Sequence, residues 1–206
     1  MSGLRVIAGS AKGHRLHSVP GDSTRPITDR TKESLFNILG ADIQGCRFLD
    51  LFAGTGCVGI EALSRGALFA RFLDKNQNAI HTIRSNLQLT RTAAQAEVVR
   101  MDAFHLLQGE PDRSFDYVYI APPQYKELWK RALIDLDNNP NWLSPDAWVI
   151  VQIHPKEFSP TQLNNLVEFD QRRYGSTLLI FYERIQHPES TNKNPTEIDL
   201  RGNHGE

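Results

Sequence analysis

An aspartate followed by three closely spaced glycines is the most chemically informative stretch of this sequence. Asp50 precedes Gly54, Gly56 and Gly59, with an apolar run before the aspartate and helix-type apolar spacing after the turn. Glycine lets the backbone approach a ligand closely, and the first turn of a helix offers free N–H groups and partial positive charge. A strand, a tight turn and a helix start in this order predict a cradle for a cofactor.

Two kinds of cofactor fit the glycine spacing. The glycines satisfy G-x-G-x-x-G, and Asp74 lies about where a ribose-binding acid is expected, so a dinucleotide-dependent oxidoreductase is one interpretation. Asp50 favours another, because its carboxylate would repel a pyrophosphate but attract the ammonium and sulfonium of S-adenosylmethionine. Asp102, which follows a later strand, suits the exocyclic amine of an adenine. The plain alternative is that these three aspartates only end strands or cap helices.

A double proline, Pro122-Pro123, is the second informative feature. It cannot extend a strand ladder, so it predicts a stiff extended loop with free carbonyl groups after the strand 116–120. Acceptors in such a loop can hold the N–H groups of a base's exocyclic amine, pyramidalise the nitrogen and aim its lone pair at a methyl donor. Methyl transfer by in-line displacement depends mainly on this positioning. An ordinary Pro-Pro turn is the alternative, and His154, which ends a later strand, is a candidate substrate contact.

Alternating strands and helices are needed to position these groups. The pattern predicts strands at 47–52, 69–73, 97–101, 116–120 and 148–153, a helix at 160–167, and final strands at 169–173 and 177–184. Gly175-Ser176 is predicted to be a hairpin turn. The fold class is therefore α/β, a Rossmann-like, mostly parallel seven-stranded sheet with a terminal antiparallel hairpin. In such sheets ligands bind beyond the carboxyl ends of the strands, where the aspartates and prolines would meet.

The N-terminal part of the chain is basic. Residues 1–33 hold six Lys or Arg residues against three acids, although the whole chain has a net charge of −1. This asymmetry indicates either a surface for a polyanion or ordinary solvated charge. The pattern predicts two short strands, 5–8 and 14–19, and a helix capped by Thr28 or Asp29. The predicted units are an extension at 1–40, a cofactor-binding domain at 41–185 and a disordered tail at 186–206.

The composition points to a soluble cytoplasmic protein. Apolar residues make up 40% and charged residues 23% of the 206 residues, and no apolar run approaches the length of a membrane span. The opening residues lack the layout of a signal peptide. Cys46 and Cys57 have no metal-type spacing, so free thiols and no metal site are expected.

The motifs together resemble a known family. The run Asp50–Gly56, Asp74, Asp102-Ala103 and the Pro-Pro loop resemble the motif series of class I S-adenosylmethionine-dependent methyltransferases. The N-terminal and late segments are similar to those of bacterial 16S rRNA guanine-N2 methyltransferases of the RsmD type: Arg5-Val-Ile-Ala-Gly, Lys12-Gly, Arg25–Arg30, Glu33-Ser-Leu-Phe, Arg173-Tyr-Gly-Ser-Thr and Phe181-Tyr-Glu183. The resemblance covers roughly residues 3–185. It implies N2 methylation of one guanine of 16S rRNA, in the small ribosomal subunit or an assembly intermediate. Apart from the resemblance, the protein is expected to be a monomer without a membrane partner.

The resemblance also implies roles for individual residues. The methionine end of the cofactor would be held by Asp50, Phe52, Ala53, Gly54, Thr55 and Gly56, the ribose by Asp74 and Lys75, and the adenine by Asp102 and Ala103. Thr28 and Arg30 would line the mouth of the site, and Arg5, Lys12, Arg15 and Arg25 would meet RNA phosphates. The target base would have to turn out of the folded RNA.

The catalytic segment departs from the family pattern. The family has Asp or Asn, then Pro-Pro, then Phe or Tyr, whereas this chain has Ala121-Pro122-Pro123-Gln124. Ala121 provides no side-chain acceptor, and Gln124 provides no aromatic ring. Backbone carbonyls of Ala121 and Pro122 would substitute, with Tyr125 or Gln124 packing against the base. The open alternatives are a catalytically weakened homologue that acts as a ribosome-assembly factor, and a methyltransferase of small molecules or proteins.

Overall fold

The computed structural model describes residues 4–21 and 27–185. Five helices are α1 (Asp29–Leu39), α2 (Cys57–Ser64), α3 (Gln77–Leu89), α4 (Ala103–Leu107) and α5 (Leu128–Asn138). Seven strands are β1 (Arg47–Asp50), β2 (Phe69–Asp74), β3 (Ala96–Arg100), β4 (Phe115–Ile120), β5 (Leu143–Ile153), β6 (Leu166–Tyr174) and β7 (Thr177–Arg184). Short 3-10 turns occur at Gly40–Ile43, Ala93–Gln95, Pro140–Trp142 and Pro155–Glu157.

The strands form one sheet in the order β3-β2-β1-β4-β5-β7-β6. The first five are mutually parallel, and β7 runs antiparallel to both β5 and β6. The predicted α/β class and mostly parallel seven-stranded sheet are therefore confirmed. Asp50, the last residue of β1, lies opposite Phe72 of β2 and Tyr119 of β4. The carboxyl ends of these central strands consequently share one edge of the sheet.

Helices cover both faces because the central strands are apolar on both sides. Phe48 faces a core cluster that includes Phe36 of α1 and Ile60 of α2, whereas the next residue, Leu49, faces a cluster that includes Leu133 of α5. The alternation along β1 thus separates two cores. Among the described residues, no helix combines the length and apolar content that crossing a bilayer would require.

The N-terminal segment 4–21 packs on α2 instead of forming the two predicted strands. That prediction is wrong except for a single antiparallel bridge between Arg5 and Arg15. The physical reason is competition from α2: the N–H groups of Ile7 and Ala8 donate to the Glu61 carboxylate at 2.8 and 3.0 Å, so they are not available to a strand ladder.

A close backbone approach holds the same segment against the end of α2. Gly9 has φ +81°, and a Cβ added there would lie 1.7 Å from the carbonyl oxygen of Ser64. The N–H of Ser10 donates to that carbonyl at 2.7 Å, and the N–H of Ala11 donates to the Ser64 hydroxyl at 2.9 Å. Only glycine combines this conformation with this proximity.

A buried charge cluster ties α1 into the same arrangement. The side chain of Lys32 is 1% exposed, and its Nζ donates to the carbonyl of Arg5 at 2.6 Å and lies 3.4 Å from Glu61 Oε2. Arg65 Nε donates to Glu61 Oε1 at 2.8 Å. Because Glu61 also accepts two backbone N–H groups, its charge is compensated inside the core. The boundary predicted at residue 40 stays a prediction.

The helix predicted at 160–167 does not form. The segment is irregular until β6 begins at Leu166, because the buried Asp137 carboxylate of α5 accepts the successive N–H groups of Asn164, Asn165 and Leu166 at 2.7–3.1 Å. Those groups therefore bind α5 instead of forming helical hydrogen bonds. β5 and β6 also begin earlier than predicted, whereas the turn at Gly175-Ser176 is confirmed. The predicted tail lies outside the described residues.

Candidate functional site

The turn between β1 and α2 adopts a conformation that its glycines make possible. Gly54 and Gly56 have φ values of 54° and 75°, in the left-handed region, and the Gly56 N–H donates to the Ala53 carbonyl at 2.7 Å. A Cβ on Gly59 would lie 2.4 Å from the Phe72 ring, so the third glycine allows α2 to pack on β2. Each glycine of the motif therefore has a structural reason to be glycine.

Asp50 is the unusual group at this turn. Its side chain is buried, with the residue 2% exposed, and Oδ2 accepts a long hydrogen bond from the Gly59 N–H at 3.4 Å. Oδ1 has no partner among the described residues. Burial raises the pKa of Asp50 to about 7, the Gly59 N–H opposes the shift, and the charge of Asp74 adds to it. An unsatisfied buried carboxylate oxygen costs free energy that a cationic ligand group would recover.

Asp74 ties the end of β2 to the glycine turn. Its Oδ2 accepts from the Gly54 N–H at 2.9 Å, and its Oδ1 accepts from the Asn76 N–H at 2.8 Å. Each oxygen keeps further acceptor capacity, since a carboxylate oxygen has two lone pairs. Lys75 next to it is exposed, and its carbonyl accepts a long bond from Arg100 Nε at 3.4 Å. Asp74 therefore shapes the turn whether or not it contacts a ligand.

Asp102 lies after β3 and caps α4. Its Oδ1 accepts from the Phe104 N–H at 3.0 Å, while the residue stays exposed and Ala103 is buried. The Phe104 ring meets Phe52 edge-on with 6.1 Å between centroids, and the guanidinium of Arg131 lies 3.9 Å from the Phe104 centroid. Asp102 thus caps a helix and Asp74 holds a turn, as the plain alternative expects. Of the three predicted aspartates, Asp50 is the one with a buried oxygen that has no hydrogen-bond partner in the described part of the chain.

The loop after β4 carries the predicted catalytic residues. Ala121 is half-buried and Pro122 buried, whereas Pro123 and Gln124 are exposed. Tyr125 is 68% exposed, has φ +62°, and donates its N–H to Glu157 Oε2 at 2.7 Å.

His154 and Tyr125 come together at the ends of β5 and β4. Their ring centroids are 5.8 Å apart at an interplanar angle of 41°. His154, predicted as a substrate contact, is thus a neighbour of a predicted catalytic residue. Glu157 was not predicted, because no spacing in the sequence links it to a loop 32 positions earlier.

A buried tyrosine lies next to Asp50. Tyr119 is opposite Asp50 in the β1–β4 register, and its hydroxyl donates to Gln152 Oε1. Burial, followed by the charges of Asp50 and Cys57, raises the pKa of Tyr119 well above its ordinary value. Tyr119 is therefore a neutral phenol. Sequence reasoning treated it only as a strand residue.

The predicted mouth residues Thr28 and Arg30 lie at the start of α1. The Thr28 hydroxyl caps the helix by accepting the Thr31 N–H at 3.2 Å, and Arg30 is exposed. Thr28 is thus the cap that the sequence offered as one of two choices. Any ligand contact of Thr28 would have to share its hydroxyl with this capping role.

The predicted RNA-contacting residues are exposed where they are described. Arg5 and Arg15 are brought side by side by their bridge, and Lys12 lies in the turn between them. Arg5 is partly neutralised by Asp29, with Nε and Oδ2 2.9 Å apart. Arg25 lies outside the described residues.

Asn86 connects the N-terminal segment 4–21, called the basic segment from here on, to the glycine turn. Its Nδ2 donates to the carbonyls of Thr55 at 2.9 Å and His17 at 3.1 Å, and its Oδ1 accepts the His17 N–H at 2.8 Å. The residue is fully buried in α3. The sequence does carry a signal for Asn86. It is a polar residue, just before Leu87, at a position where the helical pattern of α3 calls for an apolar one.

Two further features bear on the chemistry. Across the described ranges, no group of three or more His, Cys, Asp or Glu side chains is arranged to hold a metal ion. Cys46 and Cys57 are buried free thiols, and burial raises the pKa of Cys46 to about 12. Neither cysteine therefore has the character of a nucleophile.

A groove of about 510 Å³ opens at the opposite edge of the sheet, where β4 and β5 begin. Its wall includes Asp116, whose carboxylate already accepts from the Arg47 N–H at 2.7 Å and the Ser144 hydroxyl at 2.8 Å. Because this acid is satisfied, the chemistry favours the Asp50 edge as the functional site.

Comparison with known proteins gives consistent matches over almost the whole chain. Residues 4–183 match the family model described as Conserved hypothetical protein 95. YlbH of Bacillus subtilis, provisionally named an rRNA methyltransferase, is 40% identical over 184 residues, which cover 88% of this chain and 99% of YlbH. Ribosomal RNA small subunit methyltransferase D of Escherichia coli K12 is 31% identical over 189 residues, 91% of this chain and 93% of that protein. A solved Escherichia coli structure, provisionally titled the methyltransferase yhhF, has a TM-score of 0.76 at 31% identity and covers 87% of this chain and 97% of its own.

Proposed function

We propose that this chain, which belongs to the Conserved hypothetical protein 95 family of RsmD type, methylates the N2 amine of a guanine in 16S rRNA. The methyl donor in this proposal is S-adenosylmethionine. The carrying observation is the buried, unpartnered Oδ1 of Asp50 in a glycine turn at the carboxyl edge of the sheet. The names of the relatives support an rRNA substrate, and the fold is that of class I methyltransferases.

The residues at the glycine turn fit S-adenosylmethionine. Asp50 Oδ1 would accept from the ammonium group, which removes the cost of an unsatisfied buried oxygen. The spare lone pairs of Asp74 suit the ribose hydroxyls, and Asp102 with Ala103 suits the adenine. Phe52 and Phe104 provide an apolar wall between the tips of β1 and β3. When bound, the cofactor supplies an activated methyl group on a sulfonium.

The loop after β4 would hold the acceptor amine. The backbone carbonyls of Ala121 and Pro122 accept its N–H bonds and orient the nitrogen lone pair, while the methylated nitrogen loses one proton to solvent. Positioning of this kind needs no covalent intermediate. Tyr125 and His154 would pack against the base, because their rings form one aromatic surface at the site.

The basic segment would bind the rRNA around the target. Arg5, Lys12 and Arg15, with Arg25, would contact phosphates, and the guanine would turn out of the folded RNA into the site. Asn86 supports this arrangement because it fixes the segment directly to the glycine turn. We propose that the active protein is a cytoplasmic monomer that acts on the small subunit or an assembly intermediate.

The test is a methyl-transfer assay with labelled S-adenosylmethionine and small ribosomal subunits from a strain that lacks this protein. Wild-type protein should label the subunits, and Asp50→Ala should lower the rate at least about 100-fold, since it removes a charge-assisted contact. Mass mapping of the labelled rRNA should find N2-methylguanosine at one position. Wild-type transfer no higher than that of Asp50→Ala would overturn the proposal.

A weakened homologue is the second candidate, favoured by one observation: Ala121 lacks the side-chain acceptor that the family pattern has. This candidate predicts binding of cofactor and RNA without transfer, and Ala121→Asp would then gain activity. A dinucleotide enzyme predicts binding of NAD and no binding of S-adenosylmethionine. Calorimetry with both ligands separates that alternative.

A further inference from the structure

The loop after β4 has an unusual backbone. Tyr125 and Glu127, both with Cβ atoms, have φ values of 62° and 51°. The left-handed region is disfavoured for such residues because the Cβ crowds the following carbonyl. Two of them within three positions persist only where the surrounding structure holds them.

One side chain holds this loop. Glu157 Oε2 accepts the N–H of Tyr125 at 2.7 Å, and Glu157 Oε1 accepts the N–H of His154 at 3.2 Å. A single carboxylate therefore joins the loop after β4 to the loop after β5. Glu157 is fixed in turn by the 3-10 turn Pro155–Glu157, where His154 Nδ1 accepts the Lys156 N–H at 3.2 Å.

The consequence is a fixed pair of rings at the predicted acceptor site. Tyr125 is 68% exposed, although large aromatic side chains are usually buried, and its ring lies 5.8 Å from that of His154. Since His154 Nδ1 is an acceptor, the neutral imidazole carries its proton on Nε2. The pair combines a stacking surface with a polar edge, which is the chemistry that an unstacked base requires.

We propose that Glu157 is a positioning residue for the RNA substrate. By holding the Tyr125 N–H and the His154 N–H together, it keeps Tyr125 in the left-handed conformation and sets the ring pair that receives the turned-out guanine. This inference rests on the proposed function for the identity of the base. It adds a residue that contacts neither the base nor the cofactor and acts only through Tyr125 and His154.

The test is Glu157→Gln, with Glu110→Gln, an exposed glutamate after α4, as the matched control. The amide keeps one acceptor but directs an NH2 group at the second backbone N–H, so one of the two bonds is lost. We expect the affinity for small ribosomal subunits to fall about tenfold, because a displaced Tyr125 ring stacks less well on the base, while the affinity for S-adenosylmethionine changes less than about twofold. Glu110→Gln should match the wild type in both measurements.

A double-mutant cycle separates positioning from a general structural role. Tyr125→Ala should weaken subunit binding about 10- to 100-fold, and Glu157→Gln should add less than about twofold in that background. Faster hydrogen exchange of the Tyr125 or the His154 amide in Glu157→Gln should report which bond is lost, and Glu157→Ala, which removes both acceptors, should speed exchange of both amides. Independent, multiplying effects of the two substitutions, or an equal loss of cofactor affinity, would overturn the proposal. Because the readout is binding, a wild type that binds subunits without methylating them would refute the proposed reaction but leave this inference testable.

Discussion

At the scale of single residues, Asp50 links stability to the proposed chemistry. Its pKa in the folded protein is about 7, against an ordinary value of 3.8, chiefly because it is buried. The folded state therefore binds this proton more tightly than the unfolded state. The resulting stabilisation is fully present below about pH 4 and is lost as the pH rises to about 7.

Asp50→Asn should remove this dependence. The variant should become more stable than the wild type as the pH rises from about 5 to 8, by at most about 4 kcal/mol, because it buries no charge. Urea unfolding of both proteins at pH 5, 6.5 and 8 measures the difference. Stability curves that stay parallel across this range would show that the burial of Asp50 has no such effect. The same variant should bind S-adenosylmethionine more weakly, which explains why a destabilising carboxylate would be retained.

At the scale of elements, sequence periodicity predicts the strands and helices that local contacts determine. It does not predict segments whose structure depends on side chains far away in the sequence. The strands around Asp50, Asp74 and Asp102 follow from apolar runs and their flanking turns. The segment 160–167 has a helical pattern, but a carboxylate more than 20 positions earlier binds its N–H groups. Likewise, Glu157 is 32 positions from the loop that it holds. No local pattern contains these pairings.

Asp137 should accordingly be important for stability. Asp137→Ala leaves the N–H groups of Asn164, Asn165 and Leu166 without their acceptor, so we expect a loss of about 2–4 kcal/mol in the free energy of unfolding. Asn138→Ala, at the exposed neighbouring position of α5, is the control and should change stability by less than about 0.5 kcal/mol. Urea denaturation measures both. Equal effects would mean that the Asp137 contacts contribute little.

At the scale of the whole molecule, a buried charge cluster fixes the basic segment to helices α1 and α2. Lys32→Met keeps most of the side-chain length but removes the ammonium group of Lys32, a fully buried partner of the Glu61 carboxylate. We expect a loss of about 3–5 kcal/mol, since removing one partner leaves a buried charge poorly compensated. Lys126→Met, at an exposed lysine, should have little effect in the same denaturation experiment. A Lys32→Met protein as stable as the wild type would show that Arg65 alone compensates Glu61.

The charge distribution of the whole molecule predicts a salt dependence. Lys12→Gln with Arg15→Gln should reduce the slope of log affinity against log salt for small subunits by about 1.5, if each residue contacts one phosphate. Arg113→Gln, on the loop before β4 at the opposite edge of the sheet, should leave the slope unchanged. Binding titrations at several salt concentrations measure it. Equal slopes for the double variant and the wild type would place the RNA elsewhere.

The docking of residues 7–11 on α2 also has a consequence for the order of events during synthesis. The contacts of Ile7 and Ala8 with Glu61 span 54 and 53 positions, whereas β1 gains its second neighbouring strand only with β4, which ends at Ile120. A growing chain can therefore close its N-terminal segment onto α2 before the centre of the sheet has been made, because shorter loops close at lower entropic cost. Pulse-labelled hydrogen exchange during refolding should protect the Ile7 and Ala8 amides no later than those of β4. Protection of β4 first would reverse this order.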